Sequence, residues 1–308
     1  MLTILTGGTG GAKLIEGLAV EIGPAQLTII CNTADDCVFH GLHVSPDLDT
    51  ITYTLAGIAD SAKGWGIKDE SFTVLEQLGR LGEPTWFKLG DKDLATHIVR
   101  SRLLHEGLQL GRATAEVCRL LGVAAKILPM SDDRVETRVR TPDGEISFQE
   151  YFVKERWSKA VASVRFEGAE RSRPAPGVLE SIRQASAVVI CPSNPVTSIG
   201  PILAVPGIKA ALTQTKAPVV AVSPIIGEVA ISGPAHKLMA AAGLEASAFG
   251  VAQAYAEFLD VFVAATEDER VKNRIESLGI TTFSTDIVMG GLEGKRRVAR
   301  AVMALVEK

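Results

Sequence analysis

Near the N-terminus, Thr6-Gly7-Gly8-Thr9-Gly10-Gly11-Ala12-Lys13 combines residue types suited to holding a phosphate. Glycine has no Cβ to keep a backbone N–H away from an anion, and the stretch lies between an apolar run and a helical pattern. The positive end of that helix would add to the attraction. Gly8, Thr9, Gly10, Gly11 and Lys13 are therefore candidate phosphate contacts. The spacing is not that of a P-loop, because Lys13 follows Ala12 and precedes Leu14. Nor is it a dinucleotide fingerprint: Lys13 stands where the third glycine belongs, and the next apolar run ends in Cys31-Asn32 without an acidic ribose ligand. An NAD-dependent oxidoreductase is disfavoured on both counts. The plain alternative is a tight strand-to-helix turn with no ligand.

A second group is Asn32-Thr33-Ala34-Asp35-Asp36, followed by Ser45-Pro46-Asp47-Leu48-Asp49-Thr50. Loops at the carboxyl ends of parallel strands are where open α/β sheets bind ligands, so four aspartates there require an explanation. Hard oxygen ligands beside a nucleotide phosphate suit Mg²⁺, which takes one or two protein carboxylates and keeps several waters. Equally, Asp49 reads as a helix N-cap and Asp35-Asp36 as a solvated turn. His40 and His43 have neither a helix nor a third soft ligand around them, so zinc is not expected. Cys31, Cys37, Cys118 and Cys191 form no CxxC pair and read as buried small hydrophobes rather than disulfides or nucleophiles.

Two further segments carry polar chemistry. In Trp86-Phe87-Lys88 a charge sits beside two aromatic rings, a combination that could serve a flat polar ligand, or simply two core rings and a solvated lysine. Pro192-Ser193-Asn194-Pro195 and Ser223-Pro224-Ile225-Ile226-Gly227 follow apolar runs and place hydroxyls, an amide and fixed prolines at what should be one sheet edge. Ordinary strand-end turns would look similar.

The elements that must position these residues alternate. Continuous apolar runs predict strands at Leu2–Leu5, Leu27–Cys31, Ala125–Leu128, Ala187–Cys191, Val219–Val222, Val261–Ala264 and Ile280–Phe283, each buried on both faces. Helices are expected at Ala12–Glu21, Val178–Ala185, Ala235–Ala242, Gln253–Leu259, Glu267–Leu278 and Leu292–Val306. The fold class is α/β, a Rossmann-like, doubly wound, mostly parallel sheet. Residues 50–121 read as an inserted helical subdomain within a single unit spanning 1–308. Val135–Thr141 and Glu145–Phe148 read as a β-hairpin across Pro142-Asp143-Gly144. Composition narrows the setting. The net charge of -4 over 308 residues lacks the basic excess of a nucleic-acid binder. No apolar run reaches the ~18 residues of a membrane span, and the N-terminus lacks a signal-peptide pattern. The expectation is a soluble cytoplasmic protein with no membrane and no nucleic-acid partner.

Taken in order, Gly7-Gly8-Thr9-Gly10, Asn32-Thr33-Ala34-Asp35-Asp36, Ser45-Pro46-Asp47-Leu48-Asp49-Thr50, Lys88-Leu89-Gly90-Asp91, Leu128-Pro129-Met130-Ser131-Asp132-Asp133, Phe148-Gln149-Glu150, Pro192-Ser193-Asn194-Pro195 and Ser223-Pro224-Ile225-Ile226-Gly227 resemble the 2-phospho-L-lactate transferase family of deazaflavin coenzyme F420 biosynthesis, over nearly the full chain. The resemblance implies Mg²⁺-dependent transfer of a phosphoacid from a guanylylated donor, such as lactyl-2-diphospho-5′-guanosine, to the ribityl hydroxyl of the deazaflavin Fo. The products would be GMP and F420-0 or dehydro-F420-0. It places Asp49 and Lys88 against the deazaflavin, puts the glycine loop, Asn32, Ser193 and Asn194 on the nucleotide side, and suggests a homodimer. For this chemistry Asp47 and Asp49, with Asp36, are expected to hold Mg²⁺ or orient the attacking hydroxyl. The competing reading is a non-catalytic nucleotide-sugar-binding regulator of the related gluconeogenesis-factor family, which shares the glycine-loop core but lacks the Lys88 region.

Overall fold

A computed structural model describes residues 1–227, 229–230 and 233–306. The chain opens with β1 (Leu2–Thr6), α1 (Gly8–Ile22) and β2 (Leu27–Cys31), then a small hairpin of β3 (Cys37–Phe39) and β4 (Leu42–Val44). Helices α2 (Pro46–Leu55), α3 (Thr73–Arg80), α4 (Asp91–His105) and α5 (Leu110–Leu120) precede β5 (Lys126–Pro129). Leu48 and Ile51 of α2, and Leu110 and Cys118 of α5, pack in the same apolar cluster as Leu27 and Ile29 of β2. Next come β6 (Glu136–Thr141), β7 (Gly144–Ser147) and β8 (Ser163–Glu167). The β6–β7 hairpin is as expected, and β8 adds a third antiparallel strand on the other side of β6.

The second half continues with α6 (Val178–Arg183), β9 (Ala187–Ile190), α7 (Gly200–Ala204), α8 (Ile208–Gln214), β10 (Val219–Val222), and the short β11 (Ile225–Ile226) and β12 (Val229–Ala230). It closes with α9 (Ala235–Ala241), α10 (Ala248–Ala254), β13 (Val261–Ala265), α11 (Lys272–Glu276), β14 (Thr281–Thr285) and α12 (Gly291–Val306). All seven expected strands join one parallel sheet in the order β14-β13-β10-β9-β1-β2-β5. Alternate side chains face opposite layers. Leu5, Ile30, Val188 and Ile190 pack with Ile202, Leu238 and Val251 on one side, while Ile4, Ile29, Val189 and Val222 pack with Leu14, Leu18, Val298 and Val302 on the other. Burial on both faces is why these strands read as unbroken apolar runs.

Two helix expectations in the second half of the chain change. The helix expected at Gln253–Leu259 lies earlier, at Ala248–Ala254, with the Ser247 hydroxyl accepting the Gly250 N–H at 3.2 Å as its cap. Tyr255, Phe258 and Leu259 are buried beyond its end. The expected Glu267–Leu278 helix divides into a 3₁₀ segment, Thr266–Val271, and the short α11. Among the described residues no single helix is long and apolar enough to cross a membrane. One bent pair, Pro195–Ala204 with Ile208–Gln214 at 88°, passes on length and composition alone, but its Ile199, Ile202 and Ile208 are fully buried in the core.

The topology fixes where a ligand goes. From β1 the chain runs outward to β2 and β5 on one side, and from β9 to β10, β13 and β14 on the other. The neighbouring carboxyl ends of β1 and β9 are therefore the switch point, where open sheets of this kind leave a crevice.

Candidate active site

At that switch point the glycine loop is already helical. Helix α1 begins at Gly8, not at the expected Ala12, so Gly8, Thr9, Gly10 and Gly11 form its first turn with Gly7 as the N-cap. Backbone N–H groups in a first turn have no partner within the helix. Gly8 sits at φ +71°, where a side chain would be strained, and a Cβ on Gly10 would lie 2.4 Å from the Pro192 carbonyl. The loop after β9 thus packs directly on the loop after β1. Ser193 ties them together: its hydroxyl donates to the Gly7 carbonyl at 2.7 Å and accepts the Gly7 N–H at 3.3 Å. Asn194 accepts the Val196 and Thr197 N–H groups at 2.9 and 3.2 Å, capping the turn that follows.

The carboxylates converge on the same point from β2 and α2. Asp47 accepts the Gly8 N–H at 2.7 Å and the Asn32 amide at 2.9 Å. The amide of Asn32, which is fully buried, also donates to Asp35 at 3.1 Å. Burial, reinforced by the neighbouring Asp36 and Asp49 charges, pushes the Asp47 carboxyl up to about 6 against these hydrogen bonds. Asp35 is pushed well above the usual carboxylate range by burial and by the Asp47 charge, and its Oδ1 is buried without a hydrogen-bond partner. Asp36 turns elsewhere, accepting Ser45 Oγ at 2.7 Å and lying 3.1 Å from His43 Nε2.

Asp49 stands one turn into α2, with Ser45 and not Asp49 at the N-cap. Both of its oxygens accept from the guanidinium of Arg100 on α4, Oδ2 from Nη1 at 3.0 Å and Oδ1 from Nη2. Arg100 is buried, yet the Asp49 charge and hydrogen bonds outweigh that burial and raise its pKa further. His97 Nδ1 lies 3.4 Å from Arg100 Nη1, and Nε2 lies 3.2 Å from Asp93 Oδ1, which accepts the Tyr53 hydroxyl at 2.6 Å.

These groups line one cleft of about 750 Å³. Gly8, Thr9, Gly10, Lys13, Asp47, Asp49, Lys88, Ser193 and Asn194 all face it; Gly11, Asn32 and Asp36 do not. Gly11 packs beneath Thr6 and Ser193, and Asn32 acts from behind by holding Asp47 and Asp35. Lys88 is exposed on the rim beside Trp86 and the buried Phe87, so the core reading of the rings and the ligand reading of the lysine are compatible. Phe148, Phe152 and Trp157 also line the cleft as an aromatic wall, with adjacent ring centroids 5.4 and 5.1 Å apart. All four cysteines are free.

Sequence reasoning missed Tyr53, Asp93, His97, Arg100 and the cleft-facing role of Asp35. A signal existed for the first four. Asp93, His97 and Arg100 recur at helical spacing along the buried stripe of α4 that also carries Leu94 and Leu103, and Tyr53 follows Asp49 by one turn on α2. Charged residues at core positions of a helix need partners.

Comparison with known proteins places the chain by fold and by sequence. A solved crystal structure of a protein member of the upf0052 family from Bacillus halodurans superposes with a TM-score of 0.67 over 98% of each chain, at 20% identity, a likeness of fold alone. A phosphoenolpyruvate transferase from Streptomyces griseus is 44% identical, covering 100% of this chain and 98% of that protein. A 2-phospho-L-lactate transferase from Methanosarcina acetivorans is 43% identical over 99% of each. The family model described as 2-phospho-L-lactate transferase CofD matches residues 2–303. With the glycine loop, the paired aspartates and the Lys88 segment gathered around one cleft, this chain belongs to the 2-phospho-L-lactate transferase CofD family.

Proposed function

We propose that the protein transfers a phosphoacid phosphoryl group from a guanylylated donor to the ribityl hydroxyl of the deazaflavin Fo, with Mg²⁺ as cofactor. The observation that carries this reading is the meeting, at the β1–β9 switch point, of a helix N-terminus that can receive an anion and a set of buried carboxylates short of positive charge. The donor's diphosphate lies against Thr9, Gly10 and Lys13, with its nucleotide toward Ser193 and Asn194. The deazaflavin lies toward Asp49 and Lys88.

The donor set fits a divalent cation. Asp35 Oδ1 is a buried oxygen without a hydrogen-bond partner, Asp47 is held close by through their shared Asn32, and burial together with neighbouring carboxylate charges holds both carboxyls high. Of the three carboxylates singled out from the sequence as metal ligands, Asp49 already has Arg100, and Asp36 faces His43 and Ser45 outside the cleft. Asp47 with Asp35 would hold Mg²⁺. When bound, the ion would neutralise charge on the diphosphate oxygens.

The chain's own residues supply the rest. The acceptor hydroxyl, oriented by Asp49, attacks the phosphorus that bears the phosphoacid. A new P–O bond forms, the anhydride P–O bond breaks, GMP leaves with the electron pair, and the hydroxyl proton ends on the GMP phosphate. Positioning and charge stabilisation suffice for such a transfer, with no covalent nucleophile. A homodimer and a cytoplasmic setting complete the proposal; sedimentation and cell fractionation check them.

The relatives carry two names at nearly the same identity, so the test runs more than one donor. Purified protein, Mg²⁺ and Fo are mixed with guanylylated 2-phospholactate, phosphoenolpyruvate or 3-phosphoglycerate, and products are identified by mass. One donor is expected to give the deazaflavin phosphodiester and GMP. No product with any of them overturns the reading.

A further inference from the structure

The ion pair behind the cleft floor has more structure than stability requires. Arg100 is the largest fully buried side chain, and its fork takes both oxygens of Asp49. A bidentate pair of this kind fixes the plane of a carboxylate as well as its distance. The guanidinium is fixed in turn, because Nη1 also meets His97 Nδ1; His97 Nε2 lies 3.2 Å from Asp93 Oδ1 without hydrogen-bond geometry, and Asp93 is itself held by Tyr53. Asp49, Tyr53, Asp93 and His97 line the cleft, while Arg100 does not. Arg100 therefore reaches a ligand through the cleft residues it touches, above all Asp49, which takes both arms of its fork. Buried ion pairs are commonly replaceable by apolar residues at little cost in stability, so a fold needing only a filled space has no need of this one.

Resting on the transferase reading above, we infer that Arg100 is a positioning residue for the transfer. It sets the orientation in which Asp49 receives the acceptor hydroxyl, with His97, Asp93 and Tyr53 holding Arg100 in register. A misplacement on the order of 1 Å far from the reacting atoms costs about 100-fold in rate. The inference separates Arg100 from a structural residue by one property: its effect vanishes when Asp49 can no longer use it.

A double-mutant cycle tests this, using Asp49→Asn, Arg100→Met and the pair together in the full-length protein. Turnover, the KM values of donor and acceptor, deazaflavin affinity by fluorescence and GDP affinity by calorimetry are read for each. Arg100→Met is expected to lower kcat about 100-fold with donor KM and GDP affinity within about twofold. The double variant, which removes both charges together, is expected to match Asp49→Asn within about threefold. Turnover of Arg100→Met within threefold of wild type, or losses that multiply in the double variant, overturns the inference. If Arg100→Met loses GDP affinity because Asp49 is left buried and unpaired, Arg100→Lys replaces it in the cycle. Lysine keeps the charge but not the fork; a drop of about tenfold that disappears in the Asp49→Asn background supports positioning, and no drop overturns it. A wild type that binds the deazaflavin but transfers nothing counts against the transferase reading alone, and the same cycle in deazaflavin affinity then decides the role of Arg100.

Discussion

Asp47 and Asp49 lie two residues apart on the first turns of one helix and live in opposite electrostatic surroundings. Asp49 has a cation of its own, Arg100, bound through both oxygens. Asp47 has none: it is held by a backbone N–H and an amide, crowded by Asp35 and Asp36, and pushed up to about 6 by burial. The difference shows how one short motif can serve two roles. On the proposed reading, the carboxylate with a built-in counter-charge orients the acceptor, and the one without a cationic partner would hold the metal ion.

Substitutions can break that contrast. Asp47→Asn is expected to lower kcat/KM by about 1,000-fold by removing the proposed metal ligand, and Asp49→Asn by about 100-fold with the Mg²⁺ dependence unchanged. Steady-state assays across Mg²⁺ concentrations check both; equal shifts in Mg²⁺ dependence would erase the distinction. Gly10→Ala drives a Cβ to 2.4 Å from the Pro192 carbonyl, prising the β1 and β9 loops apart. Its expected cost is about 1–3 kcal/mol of stability and a loss of nucleotide affinity, read by denaturant unfolding and GDP titration.

The contrast also predicts a pH dependence. Asp47 titrates at about 6 in the folded chain, above its ordinary carboxylate value. Between pH ~4 and ~6 the unfolded chain has already lost the proton that the native state keeps, so stability falls as pH rises through that window. In chelator the fall from Asp47 is on the order of 2 kcal/mol; it is absent in Asp47→Asn, and Mg²⁺ at pH 7 restores the loss. Unfolding midpoints at pH 4.5 and 7 measure it. The smallest effect belongs to the rim: Lys88→Ala is expected to raise the acceptor KM about fivefold and leave kcat and Mg²⁺ dependence unchanged, because Lys88 is exposed and its proposed role is binding alone.

The sheet was legible because strands buried on both faces are written as continuous apolar runs, and Leu27–Cys31 and Val219–Val222 are found with the expected bounds. The start of α1 was not, because Gly8, Gly10 and Gly11 have poor helix propensity; Gly8 serves there for its positive φ, and Gly10 and Gly11 for close approach to Pro192 and Ser193. β8 went unseen because Ser163–Glu167 alternates on a half-exposed sheet and carries a single aromatic, Phe166. At the site, residues clustered in sequence were visible and residues brought together by folding were not. Asp47 and Asp49 share a motif with their helix start, while Arg100 lies 51 residues from Asp49, on another helix. Asp36, expected beside Asp47 and Asp49, instead meets His43 and Ser45 while the adjacent Asp35 faces the cleft, because successive residues in the turn point to different partners.

The most direct test of the division between the two carboxylates is Mn²⁺ binding, as a paramagnetic stand-in for Mg²⁺, followed by electron paramagnetic resonance with GDP present. Wild type and Asp49→Asn are predicted to bind Mn²⁺ alike, and Asp47→Asn to lose that binding by about tenfold or more. Binding lost in Asp49→Asn and kept in Asp47→Asn would contradict the account.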